Sequence, residues 1–383
     1  MPGSGYARLL QPSEYPDPST FVRHIQTHIS HIFITDHFVY KLKKAVDFGF
    51  LDFTTLEKRR FYCNEELRLN RRLSPDVYLE VVPLYDDGSG LLCFSGTAEP
   101  AEFAVKMRRL PEERMMSRLL DEGRVGLSDI ESLASAVADF HCTAETGERI
   151  SAFGSLEAIS ENWRENFQCA GKYIGRTISA KDHTLIKSLV EEFISTSADL
   201  LGKRVVDGFI RDCDGDLHTD NICLDDRVHI FDCIEFSDKF RFSDTAADVA
   251  FLAMDLESHG RLDLSNLFVS KYVELTGDRG LLGVLPLYLA NRAFIRGKVA
   301  SLCIDDPGME PEAKIAAADR AARYFRLSRG YLLRHRLAKT LFITSGPSGC
   351  GKSTLASELC FQLGMMHRSE ERRVGKECRF RWS

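Results

Sequence analysis

The chain has 383 residues, long enough for two lobes with sizeable cores. With 44% hydrophobic and 28% charged residues it has the make-up of a folded globular protein, which excludes fibrous and low-complexity classes. Its net charge of −6 is uneven: residues 212–257 hold thirteen acidic and three basic side chains, leaving +4 for the rest, and such an acidic segment disfavours nucleic acid as a partner.

Residues 1–20, with Pro2, Pro12 and Pro16 and no hydrophobic core segment, are expected as a flexible leader without a signal peptide. From Val22 the string HIQTHISHIFIT runs into an Asp36-His37 turn and then FVYKLKK, the pattern of a β-hairpin. On its second strand Val39, Lys41 and Lys43 share one face, with Phe38, Tyr40 and Leu42 on the other. Lysines on such a strand either guard an exposed edge or reach inward to a ligand; for the second role Lys41 is preferred and Lys43 comes next. The stretch TTLEKRRFYCNEELRLNRRL is predicted helical, with a capping box at Thr54 and Glu57, an apolar set of Leu56, Tyr62, Leu69 and Leu73, and two inward candidates, Glu66 before Glu65. Strands follow in VYLEVVPLYD, LLCFSG and EFAVKMRRLP, and residues 128–141 form an amphipathic helix ending in His141, read as a packed structural histidine.

Residues 210–235 then carry the chemistry. Two short β-patterned pieces flank a polar loop, GDLHTDN, holding Asp216, His218 and Asn221, and Asp232 follows on a Val-His-Ile-Phe strand. A loop rich in Asp and Asn is by itself often only a turn. Here a carboxylate precedes Asn221 by five residues and a strand-borne carboxylate follows it by eleven. Phosphoryl transfer to a hydroxyl needs one carboxylate to take the acceptor proton and oxygen ligands to hold Mg2+ against nucleotide phosphates, and kinases meet that need with this spacing.

The string GDLHTDN closely resembles the catalytic loop of aminoglycoside phosphotransferase-like kinases. VYKLKK, FGFLDFTTLEKRR and EELRLNRRLSPDVYLEVVPL resemble the N-lobe of the proteins known as bifunctional aminoglycoside phosphotransferase and ATP-binding proteins. The resemblance covers most of residues 22–255. It implies an α+β, bilobal protein kinase-like fold with a small β-rich N-lobe (21–110) and a larger, mostly helical C-lobe (111–337). It further implies Asp216 as catalytic base, Asn221 and Asp232 as Mg2+ ligands, and Lys41 oriented by Glu66 on the ATP phosphates. Adenine would be held by backbone near residues 107–110. In place of a glycine-rich loop stands Gln26-Thr27-His28-Ile29-Ser30, where the hydroxyls of Thr27 and Ser30 are candidates for phosphate oxygens. Asp248 would brace the catalytic loop through backbone amides. One position departs from the family: Asp214 stands where a histidine is usual, crowding Asp212, Asp214 and Asp216 and raising carboxylate pKa values.

Further on, Arg292, Arg296 and Lys298 are read as an ion-paired or solvated stripe that, in the alternative, faces the acceptor, and residues 309–337 are predicted helical. Residues 339–345 (KTLFITS) read as a strand feeding G-x-x-x-x-G-K-[ST], complete from Gly346 through Gly351, Lys352 and Ser353 to Thr354, with a helix after it. In a P-loop the amides cradle phosphate, Lys352 reaches the β- and γ-oxygens and Ser353 meets Mg2+. No room remains for the further strands of such a domain, so 338–367 is read as a truncated, idle β–α fragment of a P-loop NTPase, and the basic stretch 368–383 as a non-native tail.

The eleven cysteines include no C-x-x-C pair, so reduced thiols and a cytoplasmic location are expected, and Cys213, Cys223 and Cys233 read as buried hydrophobes. The apolar stretch at 281–290 is too short to span a bilayer, so no membrane partner is expected. The expected partners are ATP and a small hydroxyl-bearing acceptor, and the rival reading is a nucleotide-binding pseudokinase that retains Lys41 and Asp232.

Overall fold

The computed structural model describes residues 4–97, 99–336, 342–347 and 349–363. The chain divides into two compact units, the first comprising Met1–Gly154, Arg204–Asp255 and Leu267–Asp278, the second Ser155–Lys203, Leu256–Asn266 and Arg279–Ser383.

In the first unit six strands, β1 (Arg23–Gln26), β2 (Ser30–Ile34), β3 (Phe38–Lys43), β4 (Tyr78–Asp86), β5 (Leu92–Cys93) and β6 (Glu102–Arg108), form one antiparallel sheet in the order β1-β2-β3-β6-β4-β5. The alternation within β3 sorts its side chains to two faces. Tyr40 and Leu42 join Phe33, Leu84 and Ala104 in one cluster, while Lys41 and Lys43 face helix α1 (Leu56–Asn70). Between sheet and helix a second cluster gathers Cys63, Val77, Tyr78, Phe103 and Val105.

Three expectations change here. The string HIQTHISHIFIT makes two strands rather than one, because the Thr27 hydroxyl accepts from the Ser30 and Ile29 amides and closes a turn between β1 and β2. Helix α1 is capped by Thr55, whose hydroxyl accepts from the Lys58 amide at 3.3 Å, whereas the Thr54 hydroxyl donates to Asp52. Finally, the expected leader is packed. Leu9 and Tyr15 lie buried in the cluster with Tyr40 and Leu42, Tyr15 donates to the Leu9 carbonyl at 2.7 Å, and Tyr40 donates to Asp17 at 2.9 Å. The sheet face opposite α1 is apolar here, with Phe33, Tyr40, Leu42, Leu84 and Ala104, and this segment removes it from water. Leu9→Ala is therefore expected to cost about 2–5 kcal/mol, as for other buried leucines, measured by urea unfolding.

Residues 210–235, which hold the GDLHTDN loop, also belong to this unit. Strands β7 (Ile210–Asp212), β8 (Ile222–Leu224), β9 (Val228–Ile230) and β10 (Phe242–Asp244) form two small antiparallel pairs, β7 with β10 and β8 with β9. Residues just after α1 stitch them to the sheet. Arg72 donates to the carbonyls of Asp212 and Cys213, and the Ser74 hydroxyl donates to that of Ile230. The compact units consequently part at 154/155 rather than at 110/111.

The second unit is helical. Its two longest helices, Leu281–Cys303 and Pro311–Arg336, pack against each other, with Gly297 against the Phe325 ring and the Ser328 hydroxyl donating to the Ala290 carbonyl at 2.8 Å. Arg292 is buried, Arg296 lies over the Tyr324 ring and Lys298 donates to Asn166, so the basic stripe is held within this unit. No strand forms at 342–345, where Ile343 is 82% exposed, and residues 339–341 lie outside the described set. A lone apolar segment has no ladder partner, so the expected strand is absent from its described part. The helix after it forms, over Lys352–Leu363. Among the described residues no helix is long and apolar enough to cross a membrane.

Candidate active site

The site is built from the inner face of β3. Lys41 and Lys43 are two residues apart on that face and meet one carboxylate, Glu66, which α1 presents from a fully buried position. Lys41 Nζ lies 2.9 Å from Glu66 Oε1, and Lys43 Nζ lies 2.6 Å from Oε2. Burial pulls the lysine pKa values down, but Asp232 and Glu66 at Lys41, and Glu235 and Glu66 at Lys43, more than offset it and hold both above the ordinary value. Burial would likewise raise the Glu66 carboxyl, yet the two ammonium groups bring it below the usual carboxylate range. Glu65 is instead paired with Arg68 along the helix.

The two lysines differ in what else they touch. Lys41 Nζ donates to Asp232 Oδ1 at 2.6 Å, whereas Lys43 is sealed from solvent and pairs with Glu235. Lys41 therefore borders the open site. Asp232 is the one non-glycine among the described residues with left-handed backbone (φ 64°), a conformation that has to be held from outside. Its amide donates to the Tyr78 hydroxyl at 3.0 Å, and the next amide, Cys233, donates to the Asn70 side chain at 2.9 Å. The amide of Phe231 donates to the Asn221 carbonyl, which joins this segment to the loop of residues 215–221.

In that loop Asn221 Nδ2 donates to the Asp216 carbonyl and to Asp216 Oδ2, both at 3.1 Å, and His218 Nε2 lies 3.4 Å from the same carboxylate oxygen. The His218 ring also packs against Phe251. Two carboxylates of the helix Thr245–Ser258 hold the loop backbone. Asp248 accepts from the amides of Asp214 (2.7 Å) and Gly215 (3.0 Å), and Asp255 accepts from the Thr219 amide and hydroxyl (2.9 and 2.6 Å). His141 lies between Asp248 and the Tyr272 hydroxyl, a packed position. Gly215 adopts φ 87°, and a Cβ there would stand 2.9 Å from the Phe240 carbonyl oxygen, so glycine is required before Asp216.

The remaining candidate residues are placed as follows. The Thr27 hydroxyl is engaged in its own turn, and Ser30 is fully buried with its hydroxyl unbonded, so neither is presented to a phosphate. Around residues 107–110 the amides of Arg108 and Arg109 already donate to the Val77 and His37 carbonyls. In the second motif Gly349 and Gly351 have positive φ, and Lys352 Nζ donates to the Pro347 carbonyl at 2.7 Å. Thr354 is exposed, Gly346 opens the motif with φ 156°, and the Ser353 side chain lies outside the described set, as do residues 364–383. Cys213, Cys223 and Cys233 are buried, and burial pushes each thiol up, Cys223 to about 12.

Residues that pattern reading passed over complete the frame: Arg72, Tyr78, Glu235 and Asp255. Only Asp255 had a visible signal, a carboxylate seven residues after Asp248 on an otherwise apolar helix.

Asp214 is the unusual member. It is buried, one oxygen accepts from the Asp216 amide at 3.1 Å, and the other has no partner among the described residues. Burial, then the neighbouring Asp248, raises its pKa well above the ordinary value. The folded state thus keeps a proton that the unfolded chain releases near pH 3.9, so stability falls as pH rises through the interval above that value. Asp214→Asn is expected to be more stable than wild type by a margin that grows from pH 4 to pH 8, read by thermal scans; a margin that does not vary with pH would contradict the assignment.

No family model matches the chain. Solved structures similar to it include a choline/ethanolamine kinase family protein from Mesorhizobium loti (12% identity, covering 81% of this chain and 88% of that one, TM-score 0.47). They also include an amicoumacin kinase (13%, 83% and 91%, 0.48) and a microcompartment-associated aminopropanol kinase (15%, 86% and 97%, 0.48). In sequence the chain is 32% identical over 356 residues, 92% of its own length and 68% of theirs, to uncharacterized proteins of Mycobacterium bovis and of two strains of Mycobacterium tuberculosis. With that identity and coverage, the chain belongs to the same family as these mycobacterial proteins.

Proposed function

We propose that the chain is an ATP-dependent phosphotransferase that moves the γ-phosphoryl group to a hydroxyl of a small molecule. The observation that carries this reading is the convergence, within one compact unit, of Lys41 on Glu66 and Asp232 with the Asp216–Asn221 loop joined to the same segment. The Lys41 ammonium, fixed by Glu66, meets phosphate oxygens. Asp216 has a partly exposed carboxylate, steadied by Asn221 and His218, that orients the acceptor hydroxyl and takes its proton. Asn221 and Asp232 fit Mg2+: with the Asn221 amide nitrogen turned to Asp216, its side-chain oxygen and the Asp232 carboxylate make an all-oxygen donor set suited to a hard cation. Bound with the nucleotide, that cation neutralises phosphate charge. The P-loop fragment carries no step.

The test is a Mg-ATP turnover screen over hydroxyl-bearing acceptors on the full chain, with Asp216→Ala as the control. Transfer that depends on Asp216 supports the reading, and wild-type turnover indistinguishable from the control sinks it. One observation favours a second reading, a nucleotide-binding module without transfer: Asp214 places a buried carboxyl with an unpartnered oxygen directly behind the base. That reading expects nucleotide-dependent stabilisation with no acceptor phosphorylated.

A further inference from the structure

The second lysine has a job of its own. Asp232, Lys41, Glu66, Lys43 and Glu235 form a chain of alternating charges, and because Asp232 and Glu235 are three residues apart on one backbone segment, the chain closes on itself. Lys43 and Glu235 are almost wholly buried, and the Lys43 ammonium also lies 4.9 Å from the centre of the Phe53 ring. Burying such a pair costs several kcal/mol per ion, and well-packed apolar residues often serve stability as well, so stability alone is a poor account of it. Its geometry accounts for it better. With Glu66 Oε2 held by Lys43, only Oε1 is left for Lys41, and Lys41 keeps donors for Asp232 and a phosphate. Glu235 pins the segment three residues beyond Asp232, whose left-handed backbone is held by Tyr78 at its own amide and by Asn70 at the amide of Cys233.

We propose that Lys43 and Glu235 are positioning residues that set Asp232 for Mg2+ and limit Lys41 to one oxygen of Glu66. This rests on the phosphotransferase reading and assigns its two residues a role in metal affinity rather than in phosphate contact.

The experiment titrates Mg2+ into the full chain with a fluorescent ATP analogue, for wild type, E235Q, K43M and K43R, and repeats nucleotide binding in EDTA. The half-saturating Mg2+ concentration is expected to rise about tenfold or more in E235Q and K43M, the size typical of residues that orient metal ligands, while binding in EDTA stays at the wild-type level. K43R is expected to recover most of the loss, since it keeps the charge. Without metal or nucleotide, hydrogen exchange at the Cys233 and Ile234 amides is expected to quicken in the same variants. If K43M does not fold, E235Q decides, because glutamine keeps the shape and a hydrogen bond to Lys43. An unchanged Mg2+ midpoint in folded E235Q overturns the proposal, as do equal losses with and without metal, which would indicate packing only. A wild-type chain with no Mg2+-dependent nucleotide binding overturns the phosphotransferase reading and this proposal with it; a responsive wild type whose folded variants keep its Mg2+ midpoint overturns the proposal alone.

Discussion

Asp216→Ala is expected to lower acceptor phosphorylation by about a thousandfold while leaving nucleotide binding and unfolding free energy close to wild type. The size follows from the loss of a positioned general base, which contributes roughly 10²–10⁴-fold. The selectivity follows from how the loop is held. Asp248 and Asp255 bind its backbone amides, Arg72 binds its preceding carbonyls, and Gly215 makes the turn, so removing the Asp216 carboxylate leaves the frame standing. Asn221 keeps its bond to the Asp216 carbonyl, which alanine retains. Steady-state turnover, a nucleotide titration and urea unfolding on the same preparation separate chemistry from folding. Turnover within tenfold of wild type would remove Asp216 from the role of base.

Glu66→Ala is the counterpart with the largest expected cost in stability, about 3–5 kcal/mol, because it takes away the carboxylate that two buried ammonium groups share. Lys41 and Lys43 would then face each other across a low-polarity gap, with Asp232 and Glu235 as their remaining partners. Glu66→Gln should lose less, since an amide oxygen still accepts one lysine. The pH dependence has a definite sign. The folded Glu66 carboxyl sits below its ordinary value, so its contribution is complete above the unfolded pKa of about 4.3 and drains away as pH falls beneath it. Urea unfolding at pH 7 and pH 3 checks both points: the gap between wild type and Glu66→Ala is expected to narrow at the lower pH. A gap that stays constant would mean the carboxyl titrates alike in the folded and unfolded chain, and a gap that widens would mean it is held uncharged in the fold.

Much of this was legible from residue order alone. The spacing from Asp216 to Asn221 and on to Asp232 is local, and so is the alternation that puts Lys41 and Lys43 on one face of β3. The polar loop and the amphipathic helix at 127–143 are read from short-range periodicity, which the fold does not override. The choice between Glu65 and Glu66 was also open to a sequence reading, since Arg68 stands three residues after Glu65 to satisfy it.

Other decisions lay outside any window of sequence. The first twenty residues are rich in proline and read as loose, yet Leu9 and Tyr15 are buried because the sheet they precede gathers Phe33, Tyr40 and Leu42 with Leu84 and Ala104, from as far as residue 104, into one apolar face. Thr27 and Ser30 offered hydroxyls in the right place, but one is consumed by its own turn and the other is shut in by pairing of Ser30 with Lys43 across β2 and β3. At residues 342–345 an apolar run stays out of any strand for want of a neighbour.

The sequence by itself determined the polar loop and the spacing of Asp216, Asn221 and Asp232 within one short segment, since local backbone geometry depends on neighbouring residues. It preferred Lys41 to Lys43 without a chemical ground for the order, because a period of two puts both on one face of the strand. The tertiary structure separated them through partners about 190 positions away: Asp232 at the open end for Lys41, Glu235 in the sealed interior for Lys43. Charge pairing over such separations is set by how the sheet, α1 and the catalytic segment pack, and packing is a property of the whole unit rather than of any stretch within it.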